Sequence, residues 1–332
     1  MKVLIVCAGN APGGEDFIPE VHQAFIVEQA EAVKKSYPVE YDFFFIKGRG
    51  LRGYVKNFLK LKSLLAKTKY DLVHAHYGLS GVMANFQQKV PVVTTYHGSD
   101  INRPWLRKLS YLSIFFSSFN IFVSEEQVSK LRCKGHYGIV PCGVNMDMFF
   151  PVEKEKARKQ LGFGTDEVLV LFSSSFANPV KNYPLAAAAV KKIEGARLIE
   201  LKGYSRAEVN LLLNAADVAL LTSFSEGSPQ FVKEAMACNC PVVATPVGDV
   251  REIIAGTEGC FLCTFDAEDV ARKIRQALVF GKRTHGREKI SRFDNREIAK
   301  KIYDIYCRVI EKTKKLKVFC CLKFFLSGTK HR

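Results

Sequence analysis

Ten short apolar runs, rich in β-branched and aromatic residues, alternate with helical patterns along this chain, and that alternation leaves few folds open. Residues 3–7, 41–46, 72–75, 92–96 and 121–124 form one series. Residues 168–173, 198–201, 218–221, 242–244 and 259–263 form another. The runs read as nearly continuous apolar stretches, as strands buried on both faces do. Helical patterns such as 20–35 and 52–67 separate them. The expectation is an α/β fold with two Rossmann-like, doubly wound parallel sheets. Pro141, Gly143 and Pro151 interrupt any long period, which puts a linker at 141–152. The expected domains are therefore 1–147 and 148–294, followed by a final helix at 295–312 and a basic hydrophobic tail at 313–332.

A length of 332 residues and 48% hydrophobic content suit two globular domains. Met1 and Lys2 lead straight into VLIVCAGN, too short a run for the apolar core of a signal peptide. No stretch of ~18 apolar residues is present, so no transmembrane helix is expected. Ten cysteines without metal-ligand spacing point to reduced thiols and a cytoplasmic location.

The net charge of +16 is concentrated in two places. Eight basic residues and no acid lie between Asp42 and Asp71, and seven follow Glu311, again with no acid. The rest is nearly balanced. The first segment interleaves Lys56, Lys60 and Lys62 with Leu59, Leu61 and Leu64. Such a helix either lies on anionic lipid or packs on a sheet with its lysines in water. The tail LKVFCCLKFFLSGTKHR is too short and too charged to span a bilayer, and it either enters a lipid interface or belongs to its own domain or to a disordered end. Leucines rather than stacking platforms accompany the cations, so nucleic acid is not an expected partner.

The segment SFSEGSPQFVKEAMACNCPVVAT carries the chemistry. Glu226 and Glu234 stand eight positions apart. Pro229 suits the first position of a helix and Ser228 its N-cap. Phe231, Val232, Ala235 and Met236 then follow helical spacing. A helix start offers unpaired N–H groups and partial positive charge to a phosphate. Glu226, Gly227, Ser228, Pro229, Phe231, Val232 and Glu234 are thus one candidate anion and hydroxyl site. The other reading is a surface helix with two solvated acids.

This segment resembles the E-x7-E motif of the family 4 retaining glycosyltransferases, which have the GT-B fold with two domains facing across a cleft. The likeness runs from about Lys2 to Lys312 and implies that the final helix crosses back onto the N-terminal domain. AGNAPGGEDF looks like the family's glycine loop, which would bring Gly13 and Gly14 to the donor phosphate; a plain turn is the alternative. In YDLVHAHYG, strand-end packing is the expected role of His74 and His76. TTYHGSDIN places His97 at a strand's C-terminal end, and the family uses the matching His near the donor sugar. Asp100 either caps the following helix or orients the acceptor hydroxyl. VPCGVNMDMFFP resembles the hinge motif, with Cys142 and Asn145 replacing the usual Asn and Asp. Lys181 matches a Lys that holds the donor pyrophosphate, whereas Phe176 stands where the family has an Arg. Ser173 to Ser175, Asn178 or Lys202 are candidates to compensate.

The resemblance implies a metal-independent hexosyltransferase moving a sugar from a nucleotide diphospho-sugar, with UDP as the expected nucleotide, to a glycan or lipid-linked hydroxyl in cell-surface polysaccharide synthesis. His97 and Glu226 are the expected catalytic residues. No cofactor is expected, and an anionic surface on the inner face of the membrane is an additional expected partner. Two alternatives stay open: a catalytically impaired GT-B protein that binds nucleotide sugar, and a GT-B nucleotide-sugar epimerase.

Overall fold

The structure, a computed structural model, describes residues 1–10, 16–48, 50–131 and 135–327, with backbone alone at 50–51 and 316–327. Gly13 and Gly14 lie outside the described residues, as do the side chains of the tail. The chain divides into two compact units. Unit 1 comprises Met1–Val123, Val128–Val140 and Ala299–Arg332; unit 2 comprises Ser124–Gln127 and Pro141–Ile298.

Unit 1 holds strands β1 (Lys2–Ala8), β2 (Glu40–Ile46), β3 (Leu72–His76), β4 (Val92–Tyr96), β5 (Phe119–Phe122) and β6 (Tyr137–Ile139). They form one parallel sheet in the order β2-β1-β3-β4-β5-β6. Helices α1 (Pro19–His22), α2 (Ala24–Ser36), α3 (Gly50–Lys67), α4 (Gly78–Asn85), α5 (Ser99–Asn102), α6 (Pro104–Phe116) and α7 (Glu125–Leu131) connect them. β3 and β4 are buried throughout, as central strands covered on both faces should be. Two expectations need correction. The single helix over 20–35 is broken at Gln23, whose side-chain amide donates to the Ala8 carbonyl at the end of β1 at 3.2 Å. β6 was not expected, because three half-exposed residues around Gly138 carry no apolar run.

Unit 2 holds α8 (Lys154–Leu161), β7 (Val168–Phe172), α9 (Tyr183–Val190), β8 (Ala196–Ile199), α10 (Arg206–Ala215), β9 (Val218–Leu221), α11 (Gln230–Ala237), β10 (Val242–Ala244), α12 (Val250–Ile254), β11 (Phe261–Leu262), α13 (Ala267–Phe280) and α14 (Gly286–Lys289). Its parallel sheet runs β11-β10-β9-β7-β8. The core gathers inward residues of β7 and β9 with Phe231, Val232, Ala235 and Met236 of α11. Thus the helical spacing read from the sequence is the face that seats α11 on the sheet. Arg158 of α8 is almost wholly buried and satisfied by the carbonyls of Ala215, Gly164 and Thr165 and by Asp217.

Helix α15 runs Asn295–Ser327, fifteen residues beyond the expected end at Lys312. No Pro or Gly occurs between Asn295 and Gly328 to stop it. Ala299, Ile302, Tyr306 and Val309 make its buried stripe within unit 1. There Tyr303 stacks on Tyr37 at 4.2 Å, and the Tyr306 hydroxyl meets His74 Nδ1 at 2.6 Å.

Candidate functional site

In unit 2 the loops after β7 and β9 are tied side by side. The Thr222 hydroxyl at the end of β9 donates to the carbonyls of Lys181 (2.9 Å) and Asn182 (3.1 Å). Phe224 N–H donates to the Val180 carbonyl at 2.9 Å. Asn178 caps the short turn that carries Lys181 by accepting from Val180 N–H. These bonds bring Lys181 to Glu226, with Nζ and Oε1 2.6 Å apart and both side chains more than four-fifths buried. Without a ligand, the two groups read as donor-binding and catalytic neutralise one another.

The start of α11 differs in detail from the sequence expectation. Pro229 is the N-cap residue rather than the first helical residue, and Ser228 does not cap. The Ser228 hydroxyl instead donates to Asp249 Oδ2 at 2.5 Å and accepts from Lys233 Nζ. Lys233 is wholly buried, and also donates to the Cys142 carbonyl at 2.8 Å. A buried ammonium outcompetes a backbone N–H for that hydroxyl. Among the described residues Asp249 Oδ1 has no partner, and burial pushes the carboxyl above its ordinary range while Lys233 pulls it down. Gly248, at φ +58, backs the loop so closely that a Cβ there would lie 2.5 Å from the Gly227 carbonyl oxygen. Glu226 and Gly227 therefore rest on a fixed floor. Phe231 and Val232 turn their side chains into the core, so what they offer a ligand is the N–H groups of the first turn.

Glu234, on the second turn, pairs with Arg206 at 2.7 Å. Arg206 also lies over the Phe149 ring, 4.6 Å from its centroid. Sequence reading missed this arginine. Its one local signal is the capping box of Ser205 and Glu208, which fixes the start of α10 and hence where Arg206 projects. Phe176 stacks on Tyr183 at 4.1 Å, making the end of β7 aromatic. Ser175 is engaged by Glu200 and Asn178 by its cap, while the buried Ser173 hydroxyl has no partner among the described residues. Asn145 accepts from the N–H groups of Asp147 and Met148, both at 3.1 Å, so the altered hinge motif still makes an Asx turn.

In unit 1, His97 follows β4 and stacks on His76 at 5.2 Å, with Nε2 2.9 Å from His76 Nδ1. Phe25 and Tyr77 enclose its ring. The dense surroundings, and secondarily the charge of His74, push His97 down to about 3. His74 is held between Tyr306 and Thr95. Asp100 lies inside α5 rather than at its cap, and accepts from Gly98 N–H (2.9 Å) and Gly78 N–H (3.1 Å). It thereby locks the turns after β3 and β4 together. Burial raises it to about 6 against those bonds.

Two parallel-sheet α/β units of six and five strands, with charged groups gathered at strand ends, define the GT-B class. The described chain matches sucrose-phosphate synthase from Thermosynechococcus elongatus with a TM-score of 0.80 at 20% identity, over 94% of this chain and 99% of that one. It matches HepE of Anabaena in complex with UDP-glucose with a TM-score of 0.70 at 18% identity, over 93% and 100%. The Glycosyltransferase Family 4 model matches residues 5–148, and the Glycosyl transferases group 1 model matches residues 169–279. The chain belongs to the family 4 glycosyltransferases. It is 26% identical over 242 residues to the D-inositol 3-phosphate glycosyltransferase of Mycobacterium marinum, covering 57% of this chain and 52% of the relative. Against the same-named protein of Mycolicibacterium smegmatis it is 26% identical over 260 residues, covering 63% and 60%. It therefore spans little more than half the length of these relatives.

Proposed function

We propose that this protein is a retaining glycosyltransferase that moves a sugar from a nucleotide diphospho-sugar, with UDP as the nucleotide, to a hydroxyl of a glycan or lipid-linked acceptor in surface-polysaccharide synthesis. The Lys181–Glu226 pair beside the start of α11 carries the reading. A diphosphate arriving at Lys181 frees Glu226 to bind sugar hydroxyls, and the first-turn N–H groups meet the remaining phosphate charge. Glu234 then holds the ribose, with Arg206 turning from it toward the diphosphate. The bond from C1 to the diphosphate oxygen breaks as the acceptor oxygen bonds C1 on the same face. The acceptor's proton leaves to the departing phosphate. His97 acts near the sugar, and Gly13 and Gly14 near the phosphate. The reaction requires no metal or cofactor. The complex of HepE with UDP-glucose supports the donor class.

Thermal stabilisation by a panel of nucleotide sugars tests donor binding, and the anomeric configuration of the product tests retention. Glu226→Ala should lower transfer by ~100-fold or more with the fold intact. Near-native rates in a folded variant refute the assignment. Phe176 on Tyr183 is the observation that favours a binding protein without catalysis; donor binding without turnover identifies it, and free nucleotide released without acceptor identifies an epimerase. Among the described residues no helix is long and apolar enough to cross a membrane. We place the protein on the cytoplasmic side, attached peripherally through segments 47–69 and 312–332, which sedimentation with anionic vesicles after deleting 316–332 tests.

A further inference from the structure

His76 closes β3 and has no task in the transfer reading, yet it touches the ring on which that reading relies. It is 1% exposed, and a polar ring so deeply buried needs a partner. The register of β3 with β4 supplies one. His74 lies opposite Val93 and His76 opposite Thr95. Alternation along the strands puts His74, His76 and Thr95 on one face, and His97, two positions past Thr95, extends that row beyond the end of β4. His76 Nδ1 is 2.9 Å from His97 Nε2, with the ring planes 11° apart. The N–H and the lone pair of an imidazole both lie in its plane, so near-parallel planes let one point along the other. The His74 ring lies 4.2 Å from His76 and is itself bound at both nitrogens, by the Tyr306 and Thr95 hydroxyls. His74 thus backs His76 and holds it toward His97.

The backbone beside His76 is strained. Tyr77 has φ 73 and ψ 146, a conformation that residues with side chains rarely adopt. Its N–H donates to the Thr95 carbonyl at 2.8 Å, and its ring packs 4.8 Å from His97. Phe25 meets the same ring edge-on at 4.9 Å. Strain of this kind persists only where neighbours hold it, and here those neighbours converge on the His97 ring.

The two histidines share one proton. Burial above all keeps both rings neutral, with His97 pushed down to about 3 and His76 well below its ordinary value. A neutral imidazole carries a single N–H, so two arrangements satisfy the bond. Either His97 carries its proton on Nε2 and donates to His76, or His76 carries its proton on Nδ1 and donates to His97. The first gives both rings the Nε2–H form that a free histidine side chain favours. The second forces both into the Nδ1–H form. The bond made at one ring nitrogen fixes what the other nitrogen can do.

We propose that His76 is a positioning residue, which accepts from His97 Nε2–H and so presents His97 Nδ1 as an acceptor for a hydroxyl of the donor sugar. The assignment rests on the reading of His97 as a group that acts near the sugar. It adds the kind of contact that His97 makes: a sugar O–H donates to the ring, and no proton passes to it.

Nitrogen-15 spectra of the ring nitrogens test this on the ligand-free full chain, whose seven histidines are assigned by single substitutions. From about pH 5 to about pH 8, His76 and His97 should each show a protonated Nε2 and a bare Nδ1. His76→Leu removes the acceptor and should leave His97 a mixture of both tautomers. His76→Asn keeps an oxygen near the position of Nδ1 and should preserve the parent pattern. Release of UDP from UDP-glucose should fall about tenfold or more in His76→Leu, with donor affinity within about twofold, and should be largely restored in His76→Asn. If His76→Leu does not fold, the parent spectra and His76→Asn decide. A proton on His97 Nδ1, or a charged His97 at about pH 7, overturns the proposal. So does a His97 spectrum that a folded His76→Leu protein leaves unchanged. Parent-like turnover in that protein overturns it too and returns His76 to packing. A parent that no nucleotide sugar stabilises counts against the donor reading, while the spectra judge the His76–His97 pair separately.

Discussion

Lys233→Met removes a buried ammonium from the floor of the loop before α11 while nearly preserving side-chain volume. Lys233 is wholly buried, and its partners are the Cys142 carbonyl and the Ser228 hydroxyl, the latter also bonded to Asp249. Breaking a buried charge arrangement by deleting one partner costs about 3–5 kcal/mol. For a unit of this size ~3 kcal/mol lowers the melting temperature by about 6–12 °C. The sign of the pH dependence follows from Asp249. Burial already raises its carboxyl above 3.8, and Lys233 is the charge that opposes the rise. Without Lys233 the folded-state pKa climbs further above the unfolded value. The native state then binds more protons than the unfolded one, so stability falls as pH rises through that window. The deficit relative to the parent should therefore be smaller at about pH 5 than at about pH 8. Scanning calorimetry at both values measures it. The double variant Lys233→Met, Asp249→Leu should recover most of the loss, because it leaves no unpaired charge. A single-variant deficit under about 2 °C, or one that does not change with pH, refutes the argument.

Arg206→Ala should weaken nucleotide-sugar binding by about tenfold or more while leaving the melting temperature of the ligand-free protein within a few degrees, read by donor titration; unchanged affinity removes Arg206 from the site. His97→Ala should lower the transfer rate far more than stability, and the parent's rate profile should show no inflection from His97 near 6.5, because that ring is held neutral. Asp100→Asn should flatten the stability profile between 3.8 and about 6. The parent carboxyl is raised in the fold, so its contribution declines by about 3 kcal/mol as pH rises through that window, and the neutral amide has no such dependence. Melting curves across that range that stay parallel for parent and variant contradict the assignment.

The two series of apolar runs prescribed two parallel sheets because strand burial and helix periodicity are local properties, readable over about ten residues. Val92–Tyr96 and Val218–Leu221 appear in the structure with the bounds read from sequence. Short edges were harder. β6 has no apolar run to mark it, and the break at Gln23 depends on a carbonyl fifteen residues away in β1. The extension of α15 to Ser327 is legible in the absence of Pro and Gly before Gly328. At the site, residue types and spacing pointed to Glu226, Glu234 and Lys181. Their partners were not legible. Lys181 reaches Glu226 across 45 positions and Arg206 reaches Glu234 across 28, distances closed only when β7 and β9 become neighbours and α10 packs beside α11. The diversion of Ser228 from capping to Asp249 is of the same kind, since a local cap is overridden by a buried ammonium and a carboxylate brought from the loop after β10. Trp105, Leu109, Leu112, Phe115 and Phe116 of α6 share one stripe by spacing; only the packing of Ser110 and Ser113 against Gly78 and Gly81 shows that this stripe is exposed. Periodicity tells which residues share a face, and tertiary structure decides which face is buried.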